Sequence, residues 1–381
     1  MLKLRASYGI GGNIGRNTAP YLIASYYDSS LVDGMAGSVN TPPNKDIRWE
    51  KTTTVNVGVD FALFRHRLSG TIEYYNKYSV DLLAAINGSP TQGFGYTTLM
   101  TNNGKMVNRG VEITLSGEII RQKDFSWNAS LLYAFNRNKV KHISVQPSLW
   151  DSRISMPTSY PMVGKPLYGI YAYKWAGLNE NGDPQVYDAE NNVTSGPARD
   201  YHALVYCGTT VPIHNASLTN VLRYKGFEFS AMLILDAGHK LRSSNIPSIN
   251  MSNGRITSTA KGIVDRWTQP GDVTDVPRLL FSNDTENFNT HRTELYRYSD
   301  LFVYDASNIR LSNISLAYRV PAHWCKKISL SGARLQFNVE NVATFAFDSK
   351  ANYDLGGKVK PNYVWAVSYT HLRAHETELH L

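Results

Sequence analysis

Residues 52–78 read TTTVNVGVDFALFRHRLSGTIEYYNKY, and this stretch already indicates a fold class. In Thr52–Leu63 the apolar side chains alternate with small or polar ones, and the alternation resumes over Leu68–Tyr78 after the short link 64–67. A period of two places alternate side chains on opposite faces of a β-strand. Two such runs joined by a short link predict an antiparallel hairpin with one apolar face and one polar face.

The same unit recurs along the chain, and Leu2–Tyr8 alternates in the same way. Alternating strands are predicted over 111–138 around the link 121–124, on either side of Lys225-Gly226, and over Asn308–Arg319 with Ile328–Asn341, across Pro321 and the basic turn Lys326-Lys327. Long stretches rich in Gly, Pro, Asn and Ser lie between the hairpins, and they are predicted to be irregular: Gly9–Lys51, Asp81–Lys105, Lys141–Lys165 and Gly238–Ser307.

Alternating short and long connections favour an all-β fold, an antiparallel transmembrane β-barrel. Compact soluble domains rarely carry repeated structureless loops of this length, whereas outer-membrane barrels have short turns at one end and long loops at the other. The predicted strands are also long enough for a tilted bilayer crossing, which needs about 9–11 residues. Soluble β domains remain an alternative, because the core of a β-sandwich produces the same alternation.

The apolar faces of the first two hairpins carry no Lys, Arg, Asp or Glu. This absence is expected of a lipid-facing surface, where a basic side chain at the bilayer midplane costs about 2–4 kcal/mol. Aromatic side chains near the strand ends suit the girdles at the two membrane interfaces. The aromatic residues predicted there are Tyr74, Tyr75, Tyr78, Trp127, Tyr133 and Phe135.

The strand count is roughly ten or eleven, and one part of the topology does not close. Ten strands include Leu167–Ala176, but that assignment puts the Lys225-Gly226 turn at the wrong end of the barrel. Two solutions stay open for residues 139–212. Either Leu167–Ala176 does not span, or a further strand lies near Tyr201–Val211.

Composition excludes several classes of protein. The chain has 381 residues, a 42% hydrophobic fraction that argues against disorder, and only 18% charged residues, with 24 tyrosines. It contains neither an apolar run long enough for a helical membrane span nor a signal-peptide core. The net charge of +8 comes from scattered basic residues, so nucleic acid is not a predicted partner.

Motifs that imitate chemical sites have structural interpretations here. Asn179, Asn181, Asp183 and Glu190 follow the spacing of a calcium loop, but Pro184 replaces the required glycine, so a polar turn is predicted. Cys207 and Cys325 are predicted to be isolated thiols. His371 and His375 have a spacing that suits zinc on a helix, without the glutamate of a metalloprotease between them. We therefore predict no metal, no cofactor and no enzymatic activity, and assign no catalytic residue.

Two further groups of residues could form a catalytic or sugar-binding site, and each group also has a structural interpretation. The strand carboxylates Asp60, Glu73, Glu112 and Glu118 are predicted to face a wet lumen beside Lys77 or other bases, although a glycosidase could use such a pair. Aromatic side chains in the long loops could stack on sugar rings, but loop packing or interfacial anchoring is the predicted role for each, and the substrate-binding residues stay unassigned. These aromatic residues are Trp150, Tyr160, Trp175, Tyr187 and Tyr201.

An ordered series of short motifs resembles one family, the SusC/RagA-type TonB-linked outer-membrane transporters. The series spans nearly the whole chain, and no single motif in it is decisive. Its members are RWEKTTTVNVGVD (48–60), RLSG (67–70), YYNK (74–77), NGKMVNRGVE (103–112), FSWN (125–128), YKGF (224–227), RWTQPGD (266–272), DASNIRL (305–311) and FNVEN (337–341).

The resemblance implies more than periodicity can. It implies a 22-stranded barrel closed by an N-terminal plug, located in the outer membrane of a Bacteroidetes-type Gram-negative bacterium. The implied partners are a SusD-type surface lipoprotein that lids the barrel, the TonB complex that supplies energy through the plug segment, the lipid bilayer, and an oligosaccharide or peptide cargo. The expected function is import.

The resemblance also predicts how the chain is divided. We expect residues 1–367 to be the C-terminal part of such a barrel, with the plug domain absent. Residues 368–381 hold three of the ten histidines and break the alternation, which resembles translated adapter read-through in assembled metagenomic genes. We expect this tail to be non-native, and a genomic read that continues the frame through His371 and His375 would refute that expectation.

Overall fold

The structure is a computed structural model that describes residues 1–15, 20–28, 33–41, 43–87, 98–145, 152–196, 200–251, 260–281, 290–327, 329–356 and 362–371. The first seven strands are β1 (Leu2–Asn13), β2 (Ile23–Asp28), β3 (Met35–Thr41), β4 (Glu50–Leu63), β5 (Leu68–Asn87), β6 (Thr98–Arg121) and β7 (Phe125–His142). Seven more follow: β8 (Gly169–Tyr173), β9 (Trp175–Leu178), β10 (Pro184–Tyr187), β11 (Val193–Thr194), β12 (Leu204–Thr209), β13 (His214–Tyr224) and β14 (Phe227–Ala237). The last seven are β15 (Lys240–Arg242), β16 (Asn250–Met251), β17 (Leu280–Phe281), β18 (Val303–Asp305), β19 (Asn308–Arg319), β20 (Leu330–Ala346) and β21 (Asn362–His371). The helices are α1 (Ser152–Ser155), α2 (Thr290–Arg297) and α3 (Ala322–Lys327).

Ten strands form one antiparallel sheet in the order β1-β4-β5-β6-β7-β13-β14-β19-β20-β21. The short connections lie at one end of the strands of this sheet, and the long connections lie at the other end. The short connections are 64–67, 122–124, 225–226 and 320–329. We call the first set the short turns and the second the long loops. The all-β architecture and the alternation of short and long connections are confirmed.

The open part of the topology is resolved by the structure. Residues 169–173 form β8, which pairs with β12 in a separate two-stranded sheet, so neither segment belongs to the ten-stranded sheet. The inclusion of Leu167–Ala176 among the ten strands is therefore wrong, and the tenth strand is β21. The boundary proposed at 367/368 falls inside β21, where Ser368 pairs with Arg334, and the non-native tail stays a prediction.

The prediction of an irregular segment over Asp81–Lys105 is wrong for much of its length. Strand β5 continues to Asn87 and β6 begins at Thr98. The ladder shifts register between Ser79 and Leu83, where Asp81 has a positive φ of 58°. A bulge of this kind resets the period-two pattern, which is why the alternation in the sequence stops while the strand continues. The first predicted loop similarly contains the β2–β3 hairpin.

The register separates the two faces of the sheet cleanly. One row across neighbouring strands is apolar, and it comprises Leu4, Val59, Ile72, Ile113, Tyr133, Ala216, Leu235 and Ile309. The adjacent row points to the other face and comprises Arg5, Gly58, Glu73, Glu112, Ala134, Asn215, Asp236 and Asn308. Large apolar side chains stay exposed on the first face, among them Val57 at 49% and Leu335 at 48%.

Aromatic side chains lie toward both ends of the apolar face. At the short turns, Phe125, Tyr224, Phe227 and Tyr318 occupy one cross-strand row. Toward the long loops, the Tyr133 hydroxyl lies 2.8 Å from Nδ1 of His214 on the same face. Tyr75 is the exception among the predicted girdle residues, because it lies on the polar face opposite Gly110.

Among the described residues, none of the helices has the length and apolarity that a membrane span requires.

Candidate functional site

The polar face of the sheet carries a charge cluster centred on Arg5. The Arg5 guanidinium donates to both carboxylate oxygens of Asp60, at 2.7 and 2.8 Å, and also to Glu73. Gly58 lies directly opposite both Arg5 and Glu73, and a Cβ there would lie only 3.2–3.3 Å from their side chains. A residue without a side chain therefore lets Arg5 reach the carboxylates of two successive strands. Glu112 continues the row on the next strand.

Removing the cation from this cluster is expected to lower the unfolding temperature of the detergent-solubilised protein. Arg5→Gln leaves Asp60 and Glu73 side by side, and the repulsion between two close carboxylates replaces two ion pairs. The double variant Arg5→Gln with Glu73→Gln is expected to recover part of the loss. Lys123→Gln is the matched control, since Lys123 is exposed in the connection 122–124 and has no ion pair among the described residues. Equal unfolding temperatures for Arg5→Gln and Lys123→Gln at low salt would contradict the cluster's role.

The Tyr75 ring lies over Gly110 of the neighbouring strand, on the same polar face of the sheet. A Cβ on Gly110 would be 2.4 Å from the Tyr75 ring and 2.5 Å from the carbonyl oxygen of Phe135. The ammonium of Lys77 lies 5.0 Å from the centre of the Tyr75 ring. Gly110 therefore allows an aromatic side chain to cover the backbone on a face that is otherwise polar.

Above the sheet, the two longest loops fold into a structured unit, which we call the loop cap: the described residues of 152–213 and 239–306. Its core combines side chains from both loops, with Tyr173 and Val186 fully buried beside Leu295. The Tyr173 amide donates to the carbonyl of Tyr298 at 2.9 Å, which joins the first loop to the second. Tyr296 packs edge-on against Phe302 at 4.9 Å, in a second cluster that contains Ile249.

Asp183 is the main ionic link between these two loops. Arg278 donates to both of its carboxylate oxygens, at 3.1 and 2.8 Å, and Nε of Arg292 donates to Oδ1 at 3.0 Å. The Arg292 side chain is only 3% exposed, and it also donates to the carbonyls of Ile249 (3.2 Å) and Arg278 (2.7 Å). Burial lowers the pKa of Arg292, and the charge of Asp183 opposes that effect.

A third arginine, Arg242, also connects the two loops of the cap. Arg242 donates to the backbone carbonyls of Arg297 and Ser299 at 3.2 Å each and to that of Tyr171 at 2.7 Å. Burial lowers its pKa as well. The carboxylate of Asp354, from the loop after β20, accepts from the hydroxyls of Ser243 and Ser244 at 2.7 and 2.6 Å. The loop after β20 is thus tied to the loop cap.

Two of the motifs that carried the family resemblance have structural roles in this region. In RWTQPGD, Oδ2 of Asp272 accepts from the Thr268 amide and hydroxyl, both at 2.8 Å, and closes a turn. The Trp267 ring covers Gly182, where a Cβ would be only 2.4 Å away and φ is +73°. In DASNIRL, Asp305 pairs with Lys240 at 3.1 Å at the start of the cap.

The structure shows the position of most of the residues that the sequence singled out. The side-chain oxygen of Asn179 accepts from the backbone amides of Asn181 and Asp183 at 3.0 and 2.9 Å, so the predicted polar turn is confirmed. The Asp183 carboxylate binds two arginines. Glu118 lies 3.4 Å from Arg121. Within the described ranges, no group of three or more His, Cys, Asp or Glu side chains is arranged to hold a metal ion.

Three of the five loop aromatic residues, Tyr160, Trp175 and Tyr201, are used for packing, as predicted. Tyr160 is buried, while Trp175 and Tyr201 pack against the cap core. The Trp175 indole donates to Asp275 at 3.0 Å, and Lys174 lies 4.7 Å from the Tyr187 ring. Trp150 and His375 lie outside the described residues, and of His371 only the backbone is described.

Both cysteines are free thiols. Burial, followed by the charge of Asp300, raises the pKa of Cys207 to about 11.

The sequence does not indicate which residues hold the cap together. These residues are Asp183, Arg242, Arg278 and Arg292. Their partners are up to 109 residues away, and no local spacing indicates such pairs.

Two cavities lie where the sheet meets the loops. One, of about 360 Å³, lies between the loop-side ends of β5 and β6 and the segment 158–167. The other, of about 370 Å³, lies beside the loop-side end of β7. We call the second one the lateral cavity, and its lining residues are Phe135–Lys139, Gly164–Pro166, Tyr206, Thr209 and Val211–Ile213.

Comparisons with known proteins agree on the family. The family model described as "TonB dependent receptor-like, beta-barrel" matches residues 1–342. TonB-dependent receptor P3 of Formosa agariphila is 27% identical over 92% of this chain and 36% of its own length. TonB-dependent receptor SusC of Bacteroides thetaiotaomicron is 26% identical over 89% of this chain and 34% of its own length. The chain thus spans about a third of the length of these curated relatives.

Solved structures share the fold. A structure of the RagAB peptide transporter matches with a TM-score of 0.71 and 23% identity over 91% of this chain and 37% of that chain. The RagAB peptide importer in the closed-closed state matches with a TM-score of 0.74 and 22% identity over 97% of this chain and 40% of that chain.

Proposed function

Because the chain belongs to the TonB-dependent receptor-like β-barrel family, we propose that it supplies part of the wall and the extracellular loop cap of an outer-membrane importer. One observation carries the proposal: the ten-stranded sheet separates an exposed apolar face from a charged and amide-rich face, strand after strand. The apolar face suits lipid, and the polar face suits a water-filled lumen. The energised step belongs to the TonB complex, which acts on the plug segment of the whole transporter.

A SusD-type surface lipoprotein is the proposed lid of this importer. The loop cap leaves apolar side chains fully or largely exposed, including Val273 (102%) and Val264 (67%). Covering such side chains with another protein removes apolar surface from water, which is favourable. The cap's buried core would hold these residues in position for docking.

We propose an oligosaccharide as the cargo, with a peptide second. The family resemblance described under Sequence analysis supports the first choice, and the RagAB peptide transporter among the solved structures supports the second. In the proposed mechanism the protein forms no covalent bond with the cargo and performs no reaction on it. Amide and carboxylate groups on the polar face, such as Asn215 and Asp236, offer hydrogen-bond partners to sugar hydroxyls.

Uptake by the native host tests the proposal. Deleting the full-length gene is expected to abolish growth on one oligosaccharide or peptide mixture as sole carbon source, and the gene in trans is expected to restore it. The alternative, a soluble or surface-attached glycan-binding module, predicts that the full-length product stays in solution without detergent. Recovery in the periplasm or cytosol would reject the importer.

A further inference from the structure

The lateral cavity lies where the wall has a gap in its hydrogen bonding. The Asn136 amide donates to the carbonyl of Ile213 at 2.9 Å, just before β13 begins. Farther along β7, the Val140 amide donates to the carbonyl of Lys165, also at 2.9 Å. Between these two bonds β7 pairs with β6 on one side but has no sheet neighbour on the side of β13, where the cavity of about 370 Å³ lies.

The charge of the cavity lining is entirely positive. Arg137, Lys139 and Lys165 line it, and no Asp or Glu is among the lining residues. Arg109 lies directly opposite Arg137 on β6 and adds a fourth positive charge nearby. In the described part of the chain, none of these four cations takes part in an ion pair. Like charges held this close repel one another, and a bound anion would remove the repulsion.

The cavity lies beside the aromatic side chains at the loop end of the apolar face. Phe135 is one of them, with its ring 5.3 Å from that of His214, and it also lines the cavity. Arg137 and Lys139 follow Phe135 on the same face of β7, farther from the apolar band. Because aromatic girdles mark the membrane interface in outer-membrane barrels, these cations would stand at the level of the lipid headgroups.

A phosphate in the cavity would accept charge-assisted hydrogen bonds from these cations. Asn136 pairs with Gly110 and belongs to the polar face, so its buried side-chain oxygen, which has no hydrogen-bond partner within the described structure, lies on the other side of β7 from Arg137 and Lys139.

We propose that the lateral cavity binds the phosphate group of an outer-leaflet lipid headgroup. The acyl chains would lie along the exposed apolar face below Phe135, and the phosphate would contact Arg137, Lys139 and Lys165. Basic pockets at a membrane interface recognise lipid headgroups in this way. The inference rests on the membrane position given under Proposed function.

Lipid binding by the purified full-length product tests the inference. The triple variant Arg137→Gln, Lys139→Gln and Lys165→Gln is compared with a control that loses three exposed cations elsewhere: Lys123→Gln, Lys261→Gln and Arg266→Gln. Native mass spectrometry in detergent measures the bound fraction of diphosphoryl lipid A and of the same lipid without phosphates. Because the variant loses the charge-assisted hydrogen bonds to the phosphate, its binding is expected to be at least about tenfold weaker.

The predicted pattern is tight binding by the wild type and the control, weak binding by the triple variant, and weak binding of the dephosphorylated lipid to all three. Equal binding by the wild type and the triple variant would overturn the inference. Equal competition by glucose 6-phosphate would overturn it too, because the site would then recognise a soluble anion. A protein that imports cargo but binds no lipid A would refute this inference and leave the proposed function standing.

Discussion

Asp183→Ala is expected to destabilise the loop cap by about 3–5 kcal/mol while the ten-stranded sheet stays folded. The carboxylate is the shared acceptor for Arg278 and Arg292, and the Arg292 side chain is 3% exposed. Without Asp183 a buried guanidinium loses its counter-charge, which costs far more than the loss of a surface ion pair. Hydrogen exchange of the detergent-solubilised full-length product is the measurement, and exchange is expected to rise in residues 169–209 and 290–305.

The control for this variant is Glu180→Ala, which also removes one negative charge. Glu180 lies three residues before Asp183, is exposed, and has no ion pair among the described residues. Its exchange pattern is expected to match the wild type. Asp183→Asn keeps the shape and part of the hydrogen bonding, so its effect is expected to be intermediate. If hydrogen exchange in the cap of Asp183→Ala were as slow as in the wild type, the two loops would hold together without this link.

Gly110→Ala is expected to impair the wall itself, with a loss of about 1–3 kcal/mol from overpacking. The new methyl group would lie 2.4 Å from the Tyr75 ring and 2.5 Å from the carbonyl oxygen of Phe135 on the neighbouring strand. The ring can swing away, but the backbone carbonyl moves only with its strand. The measurement is the temperature at which the folded, fast-migrating form of the full-length product converts to the slow-migrating form on a gel.

The same strand provides the control for this prediction. Gly117→Ala would place its methyl group 3.4–3.9 Å from its neighbours, which is ordinary contact, so the transition temperature is expected to change little. Adding Tyr75→Ala to Gly110→Ala is expected to restore only part of the loss. Full recovery in that double variant would mean that the close approach to the Phe135 carbonyl is relieved at no cost.

The sequence predicts the wall well because a strand records its two faces in a period of two. The alternation in Val55–Leu63 and Leu68–Tyr78 reappears as pairs such as Val59 opposite Ile72 and Asp60 opposite Thr71. The order of the short motifs predicted the family, and the match of the family model over residues 1–342 confirms the resemblance to TonB-linked transporters.

The loops are where prediction from sequence fails. The bulge at Asp81 interrupts the alternation although the strand continues, so 81–105 has the sequence features of a loop. Residues 169–173 are apolar enough for a membrane strand, but they are buried in the cap core and pair with 204–209. The link between Asp183 and Arg292 joins residues 109 positions apart, and only the folded chain brings them together.

Accessibility to a membrane-impermeant maleimide in intact host cells tests the central claim most directly. In the full-length product with Cys207→Ser and Cys325→Ser, one variant carries Val273→Cys in the loop cap and another carries Lys225→Cys in a short turn. An outer-membrane wall with external long loops predicts rapid labelling at 273 in intact cells and labelling at 225 only after the outer membrane is opened. Equal labelling at both positions in intact cells would contradict it.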